Sequence, residues 1–216
     1  MSYLKRQEVP RGWPIPRKGT AYVVKPMSEL SSSIPLLIVL RNLLNIAQNR
    51  REVKRSIHEK QILVNARKIK DDKAGLHLFD TLSITPLNKS YRVELSKTGK
   101  FEIREIKENE SSHKIAKIAD KRTLNGKKTQ LNLSDGRNFL SDIKCNVNDS
   151  VLINLKEKKI EKCLPLKENS KALVISGKHA GETGMIKSID NKKKMVRLES
   201  KDINVNVLIK QLIVIE

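Results

Sequence analysis

The sequence predicts a multi-domain α+β chain. An extended basic N-terminal arm spans residues 1–32, a small α/β domain 33–86, an all-β central domain 87–168 and a small β-barrel 169–216. Three observations carry this. Apolar residues recur at helical spacing between Ser33 and Ile57, four prolines interrupt the stretch before it, and short apolar or alternating runs bounded by turn residues fill the remainder.

Charge sets the functional class. The 216 residues include 44 Lys and Arg against 24 Asp and Glu, a net charge of +20, which points to a polyanionic partner. Residues 1–86 carry 16 positive and 7 negative side chains, 87–170 carry 19 and 12, and 171–216 carry 9 and 5. Because no single tail holds the excess, every module is expected to meet nucleic acid. Aromatic residues make up only 3%, too few for base stacking to be the main mode, so folded RNA read by shape and phosphate is the expected ligand. No apolar run approaches the ~20 residues that cross a bilayer. Cys145 and Cys163 lie too far apart in sequence for a metal knuckle, and His58, His77, His113 and His179 are scattered. Neither metal, cofactor, membrane nor small-molecule substrate is expected, and the cysteines read as buried thiols of a reducing cytoplasm.

In the arm, Lys5, Arg6, Arg11, Arg17, Lys18 and Lys25 alternate with Pro10, Pro14, Pro16 and Pro26. Prolines this dense exclude a continuous helix. Trp13 favours an arm that orders against RNA over a free tail, which makes Lys5, Arg6, Arg11, Trp13, Arg17 and Lys18 candidate contacts.

From Ser33, a capping hydroxyl with Pro35 in the first turn predicts a buried helix bearing Leu36, Leu37, Leu40, Leu43, Leu44 and Ala47. Asn49 three residues before Glu52 predicts a capping box opening a second helix. At about 100° per residue, Val53 and Ile57 fall on one side and Arg50, Arg51, Lys54, Arg55 and His58 on a neighbouring arc. Four permanent charges facing outward suit a phosphate backbone. Residues 62–69 and 78–84 read as short strands, with Arg67 and Lys68 as further candidate RNA contacts.

This order of helix, basic helix, strand ending in Val64-Asn65, and later Phe79-Asp80 resembles the S-four type RNA-binding domain. The resemblance implies that Arg41, Arg50, Arg51, Lys54 and Arg55 grip structured RNA. Two glycines common in that family are replaced here by Lys60-Gln61 and Ala66. Ala66 is a poor residue for positive φ, so a wider turn is expected there.

Beyond Leu87 the pattern is all-β. Tyr91–Leu95 and Phe101–Ile103 flank Lys97-Thr-Gly-Lys100 as a hairpin, Asn125-Gly126 and Asp135-Gly136 are tight-turn signals, residues 107–114 read as a loop, and residues 150–155 read as a strand. Acidic residues alternate with Lys and Arg, so no paired-carboxylate site is expected. In the last segment, Ala172–Ile175, Met185-Ile186, Met195–Leu198 and Leu212–Ile215 can close a small barrel around the loop Ser176–Gly184. That loop lacks the Gly-Lys-Ser/Thr ending and following helix of a P-loop. It closely resembles the KOW motif of ribosomal proteins and elongation factors, with Gly177, Gly181 and Gly184 at turning positions. Lys178 and His179 stand at its tip as candidate RNA contacts.

The whole order resembles the archaeal and eukaryotic small-subunit ribosomal protein family S-four-e. The resemblance rests on Leu4-Lys-Arg6, Trp13, Ile34–Leu37 with Leu40-Arg41, Gln130–Asn138 including Arg137, and Gly177–Gly181. The Met27–Ser33 stretch departs from the family's Pro- and Gly-rich pattern, and the end at Glu216 looks archaeal. The resemblance implies an S-four-like domain, an SH3-like KOW barrel, and a structural role on small-subunit ribosomal RNA beside neighbouring ribosomal proteins in the cytoplasm. An RNA-modifying enzyme would need a catalytic domain for which about 80 residues of Lys-rich β-structure leave no room. A transcription elongation or antitermination factor is the stronger alternative, but it would be expected to expose an apolar docking stretch, and none stands outside the predicted core.

Overall fold

The computed structural model describes residues 3–125, 128–141, 143–190, 192–200 and 204–215. Strands dominate and helices are short. Two units divide the chain, residues 1–96 with 100–112 and residues 97–99 with 113–216.

The first unit is built on an antiparallel sheet in the order Arg67–Lys68, Ile62–Val64, Thr81–Ile84, Lys89–Leu95, Phe101–Ile106. The predicted hairpin around residues 97–100 forms, pairing Leu95 with Phe101. It continues the sheet of the preceding segment, however, because Thr81–Ile84 pairs with Lys89–Arg92. Backbone hydrogen bonding thus runs straight through residue 86, where composition alone suggests a break.

The first helix starts later than predicted. Ser33–Pro35 is a strand paired with Gly75–His77, and the helix Leu36–Ile38 continues as a π-turn over Val39–Leu43. Ser33 does not cap it, since its hydroxyl donates to Glu29 O at 2.6 Å. The orphan N–H groups of Leu36 and Leu37 donate instead to Ala74 O and Asp72 O. Asn45, at φ 53°, lies just past the helix, so Ala47 is buried but not helical. Leu36, Leu37 and Leu40 are buried as expected, in one core with Val53, Ile57, Leu82 and Val93.

The arm folds onto that same core. Tyr3–Lys5 pairs with Tyr22–Val24, and Trp13 is 2% exposed with its indole N–H donating to Ser33 O at 2.9 Å. Burying a Trp is a large hydrophobic gain, which explains why a proline-rich segment becomes ordered without a long element of its own.

The second unit holds two antiparallel five-stranded sheets. One has the order Asn138–Leu140, Thr129–Leu133, His113–Thr123, Ser150–Asn154, Lys159–Leu164, with Ile118, Leu131, Val151 and Ile153 in its core. The segment 107–114 is not all loop: Glu108–Ser111 is a helical turn, and His113 begins the eleven-residue strand at this sheet's centre. Asp135-Gly136 turns as expected, with Gly136 at φ 81°, whereas the Asn125-Gly126 signal falls partly outside the described residues. Cys145 is buried and Cys163 half-buried, both as free thiols. Burial, followed by contact with Cys145, pushes the Cys163 thiol up to about 12.

The other sheet has the order Asn204–Leu208, Met195–Glu199, Thr183–Asp190, Lys171–Val174, Leu212–Val214. Strict alternation along Met195–Glu199 puts Val196 and Leu198 into its core. The Ser176–Glu182 loop joins two strands, as its sequence implies. Gly177 at φ 99° and Gly181 at φ 90° occupy conformations that glycine tolerates best. Gly184 differs from the expectation of a turning position: it lies within a strand, where a Cβ would stand 2.6 Å from Glu199 O.

Candidate nucleic-acid interface

The basic helix Arg50–His58 is capped as its sequence predicts, with one change of partner. Asn49 Oδ1 accepts from the N–H groups of Arg51 (3.0 Å) and Glu52 (3.1 Å), while Glu52 reaches Gln48 N at 2.7 Å rather than Asn49 N. At the other end, Gln61 N donates to Ser56 O and Lys60 N to Ile57 O, a Schellman closure with Lys60 at φ 59°. Val53 and Ile57 are buried, which turns the opposite arc to solvent.

The cations of this arc are not equivalent. Arg50 Nε and Nη2 hold Asp72 at 2.6 and 3.1 Å, and the Asp72 side chain is fully buried. Burial pushes the Asp72 carboxyl up, but the Arg50 hydrogen bonds, an Asp71 contact and the Arg50 and Lys54 charges outweigh it, leaving it below its ordinary range. Arg50 faces outward as expected, its side chain 43% exposed, but it also fastens the helix to the 71–74 loop, so one of the four outward charges is already paired. Arg55 donates to Glu59 at 2.8 Å one turn on, yet stays exposed. Arg51 and Lys54 are exposed, and no side-chain hydrogen bond or ion pair is recorded for them among the described residues. Lys54, Arg55, His58 and Lys70 ring a depression of about 450 Å³ over Asp71 and Asp72. Lys70 escaped the sequence reading, although the run Arg67-Lys68-Ile69-Lys70 signals it.

The turn presenting Arg67 and Lys68 is tighter than expected. Val64 pairs directly with Arg67, leaving only Asn65 (φ 50°) and Ala66 (φ 59°) between the strands. Buried side chains impose this. Asn65 Nδ2 donates to Asp80 Oδ1 at 2.8 Å, Asn65 Oδ1 accepts from Thr81 N at 3.1 Å, and Asp80 Oδ2 accepts from His77 N at 2.7 Å. This network forces an alanine into a left-handed conformation that costs about 1–2 kcal/mol. It leaves Arg67 and Lys68 exposed.

Other candidates divide likewise. Lys5, Arg11, Arg17, Lys18 and Lys178 are exposed. Trp13 is core, so it cannot stack on a base as it stands. Arg6 is bound within the arm, donating to Thr20 O (2.6 Å), Pro16 O (2.7 Å) and Thr20 Oγ1 (2.9 Å). Arg41 is half-buried, with Nε on Asn42 Oδ1 at 3.0 Å. Arg137 folds back on Asp135, which also receives the buried Lys114. Burial raises the Asp135 carboxyl, but the charge and hydrogen bond of Lys114, then the Arg137 N–H and charge, bring it below its ordinary range. His179 Nδ1 lies 3.1 Å from Glu182 Oε1. Among the described residues no group of three His, Cys, Asp or Glu could hold a metal ion, and no helix is long and apolar enough to cross a membrane.

Comparison with known proteins places these features. The model of the Ribosomal family S4e matches residues 87–160 and that of the KOW motif residues 168–201. The small ribosomal subunit protein eS4 of Methanocella arvoryzae is 39% identical over 191 residues, covering 87% of this chain and 81% of the relative. That of Nanoarchaeum equitans is 38% identical over 196 residues, covering 87% and 84%. A crystal structure of the 30S ribosomal protein S4e from Thermoplasma acidophilum shares the fold with TM-score 0.74 at 24% identity, covering 86% of this chain and 95% of that one. Leu124, Leu140, Ile143 and Val147 are exposed apolar side chains, so the expected lack of an apolar docking stretch is a poor discriminator. The relatives decide instead, and they give the elongation-factor alternative no support. The chain belongs to the eS4 family of small ribosomal subunit proteins.

Proposed function

We propose that this protein is a structural constituent of the small ribosomal subunit, binding and stabilising folded small-subunit ribosomal RNA during assembly and translation. The observation that carries the reading is the cluster of Lys54, Arg55, His58 and Lys70 around one depression, joined by the exposed Arg51, Arg67 and Lys68, in a chain whose relatives are named as small-subunit proteins. Such a face neutralises phosphates without reading bases, as suits RNA recognised by shape. Its partners are that RNA and neighbouring ribosomal proteins, and its place is the cytoplasmic ribosome. It does no catalysis in this reading.

The finer architecture belongs to the same proposal. Residues 33–86 act as an S-four-like RNA-binding domain whose sheet extends through Lys89–Leu95 and Phe101–Ile106, the strands from His113 to Leu164 as an all-β middle and 169–216 as an SH3-like KOW barrel, after a basic arm. The two-helix, tight-turn order and the glycine-shaped loop support this division. Lys178 at the loop tip, with Arg11, adds phosphate contacts. Small modules bury little surface and gain stability from whatever binds their folded form, so cognate RNA raises the melting temperature. The test is the copy number of this protein in small subunits washed at high salt, beside a core ribosomal protein. One copy per subunit is expected, and a small fraction of one overturns the constituent role.

A further inference from the structure

Only two aromatic side chains are exposed among the described residues, and they stand together. Tyr3 and Tyr22 are 51% and 56% exposed, with ring centroids 4.8 Å apart and planes at 70°. Trp13, Tyr91 and Phe101 are core, and Phe79 and Phe139 are half-buried. Strand alternation explains the pair: Leu4 and Val23 point inward, which turns Tyr3, Lys5 and Tyr22 outward, with Lys5 directly opposite Tyr22.

Cations stand beside Tyr22. The Arg6 guanidinium holds Pro16 O at one end of a loop and Thr20 at the other, so Arg17 and Lys18 project from a clamped segment. Gly19, at φ 143°, belongs to that clamp, since a Cβ there would stand 3.1 Å from the guanidinium. Tyr22, Lys5, Arg17 and Lys18 share the walls of a depression of about 460 Å³.

Solvent-facing rings beside exposed cations form a stacking platform with phosphate clamps. We propose that this face of the arm binds unpaired nucleotides of RNA, with a base stacked on Tyr22 or Tyr3 and its phosphates against Lys5, Arg17 and Lys18. An RNA occupant is favoured over an apolar protein segment because the depression that Tyr22 lines is also lined by three exposed cations, Lys5, Arg17 and Lys18. The inference rests on the proposed RNA-binding role and adds a second mode to it, apart from the duplex-suited face of helix Arg50–His58.

The test compares binding of the full chain to an RNA duplex and to the same duplex carrying a single-stranded purine extension. Tighter binding of the extended probe is expected. Y3L/Y22L should lose about 5- to 100-fold on that probe, the range for a stacked base, and nothing on the plain duplex. Y22F should keep wild-type affinity, because the ring and not the hydroxyl stacks. If Y3L/Y22L matches wild type on both probes, or the extension adds nothing to wild-type binding, the platform is overturned and the duplex reading stands. Equal loss on both probes makes the tyrosines supports of the fold and also overturns it. Failure of the wild type to bind either probe removes the RNA reading and this inference together.

Discussion

The two units carry similar charge but place it differently. The first has 21 Lys and Arg against 12 Asp and Glu, the second 23 against 12. In the first, the cations of the basic helix and hairpin remain at the surface, and among them only Arg50 is tied to a buried acid, Asp72. In the second, Lys114 and Lys117 are buried, Lys114 on Asp135 and Lys117 on the carbonyls of Ile209 and Leu212. Net charge therefore identifies a polyanionic partner without saying which cations meet it. Turn chemistry contrasts too: the first unit puts Lys60, Ala66 and Phe79 at positive φ, whereas the KOW loop puts glycine there. Buried hydrogen bonds impose the tight turn in one case, and freedom from a Cβ permits the loop in the other.

The largest effect should come from Gly181→Val. At φ 90° and buried, this position offers a β-branched residue no relaxed conformation, and a loss of roughly 2–3 kcal/mol is expected in urea unfolding. A variant with an unchanged midpoint would erase the contrast between glycine-shaped and network-shaped turns. Next, Asp72→Ala should cost about 2–3 kcal/mol, because it breaks a pair whose acid is wholly buried. Wild-type stability should also fall in acid. Asp72 and Asp135 have lowered folded pKa values, so the stability they contribute is present above the ordinary carboxylate range and lost as pH drops through their folded values.

Lys117 tests the buried charge of the second unit. Burial lowers its pKa from 10.5 to about 8. Between these values the unfolded chain keeps a proton that the folded one has released, so stability rises with pH across that window. Below pH 8 both states are charged and the burial cost is present in full. Unfolding free energies at the two ends of the window should differ by on the order of 1–3 kcal/mol in wild type beyond the difference in Lys117→Met. An identical pH response in both proteins would show that the two carbonyls keep the ammonium charged throughout.

Smaller still is the effect expected on RNA binding. R51A/K54A should lower the slope of log affinity against log salt by about 1.5, at roughly 0.7–0.9 per phosphate, whereas Arg50→Ala should leave it nearly unchanged. Equal slopes for the two variants would mean that Asp72 releases Arg50 to the RNA. Last, Ala66→Gly should stabilise the first unit by about 1 kcal/mol in thermal or urea melts, by relieving the left-handed alanine.

Much of this was legible in sequence. Asn49 with Glu52 marks the second helix, Val53 and Ile57 its buried side, and Gly177 and Gly181 the KOW loop, because caps, helical period and positive φ are local matters. Other features were not. Ser33 looks like a helix cap but lies in a strand, since the 72–74 carbonyls already satisfy the first helical N–H groups. The strand His113–Thr123 is hidden by Lys114 and Lys117, which read as polar and occupy core positions. Trp13 looks like a ligand contact and is core. By itself the sequence determined the excess of charge, the helix caps, the strand alternation and the glycine turns, each set by neighbours a few residues away. Only the tertiary structure decided which cations stay free and which residues adopt strained turns. The groups that bind Arg50 and Asn65, namely Asp72 and Asp80, lie 22 and 15 residues away along the chain, and folding alone brings each pair into contact.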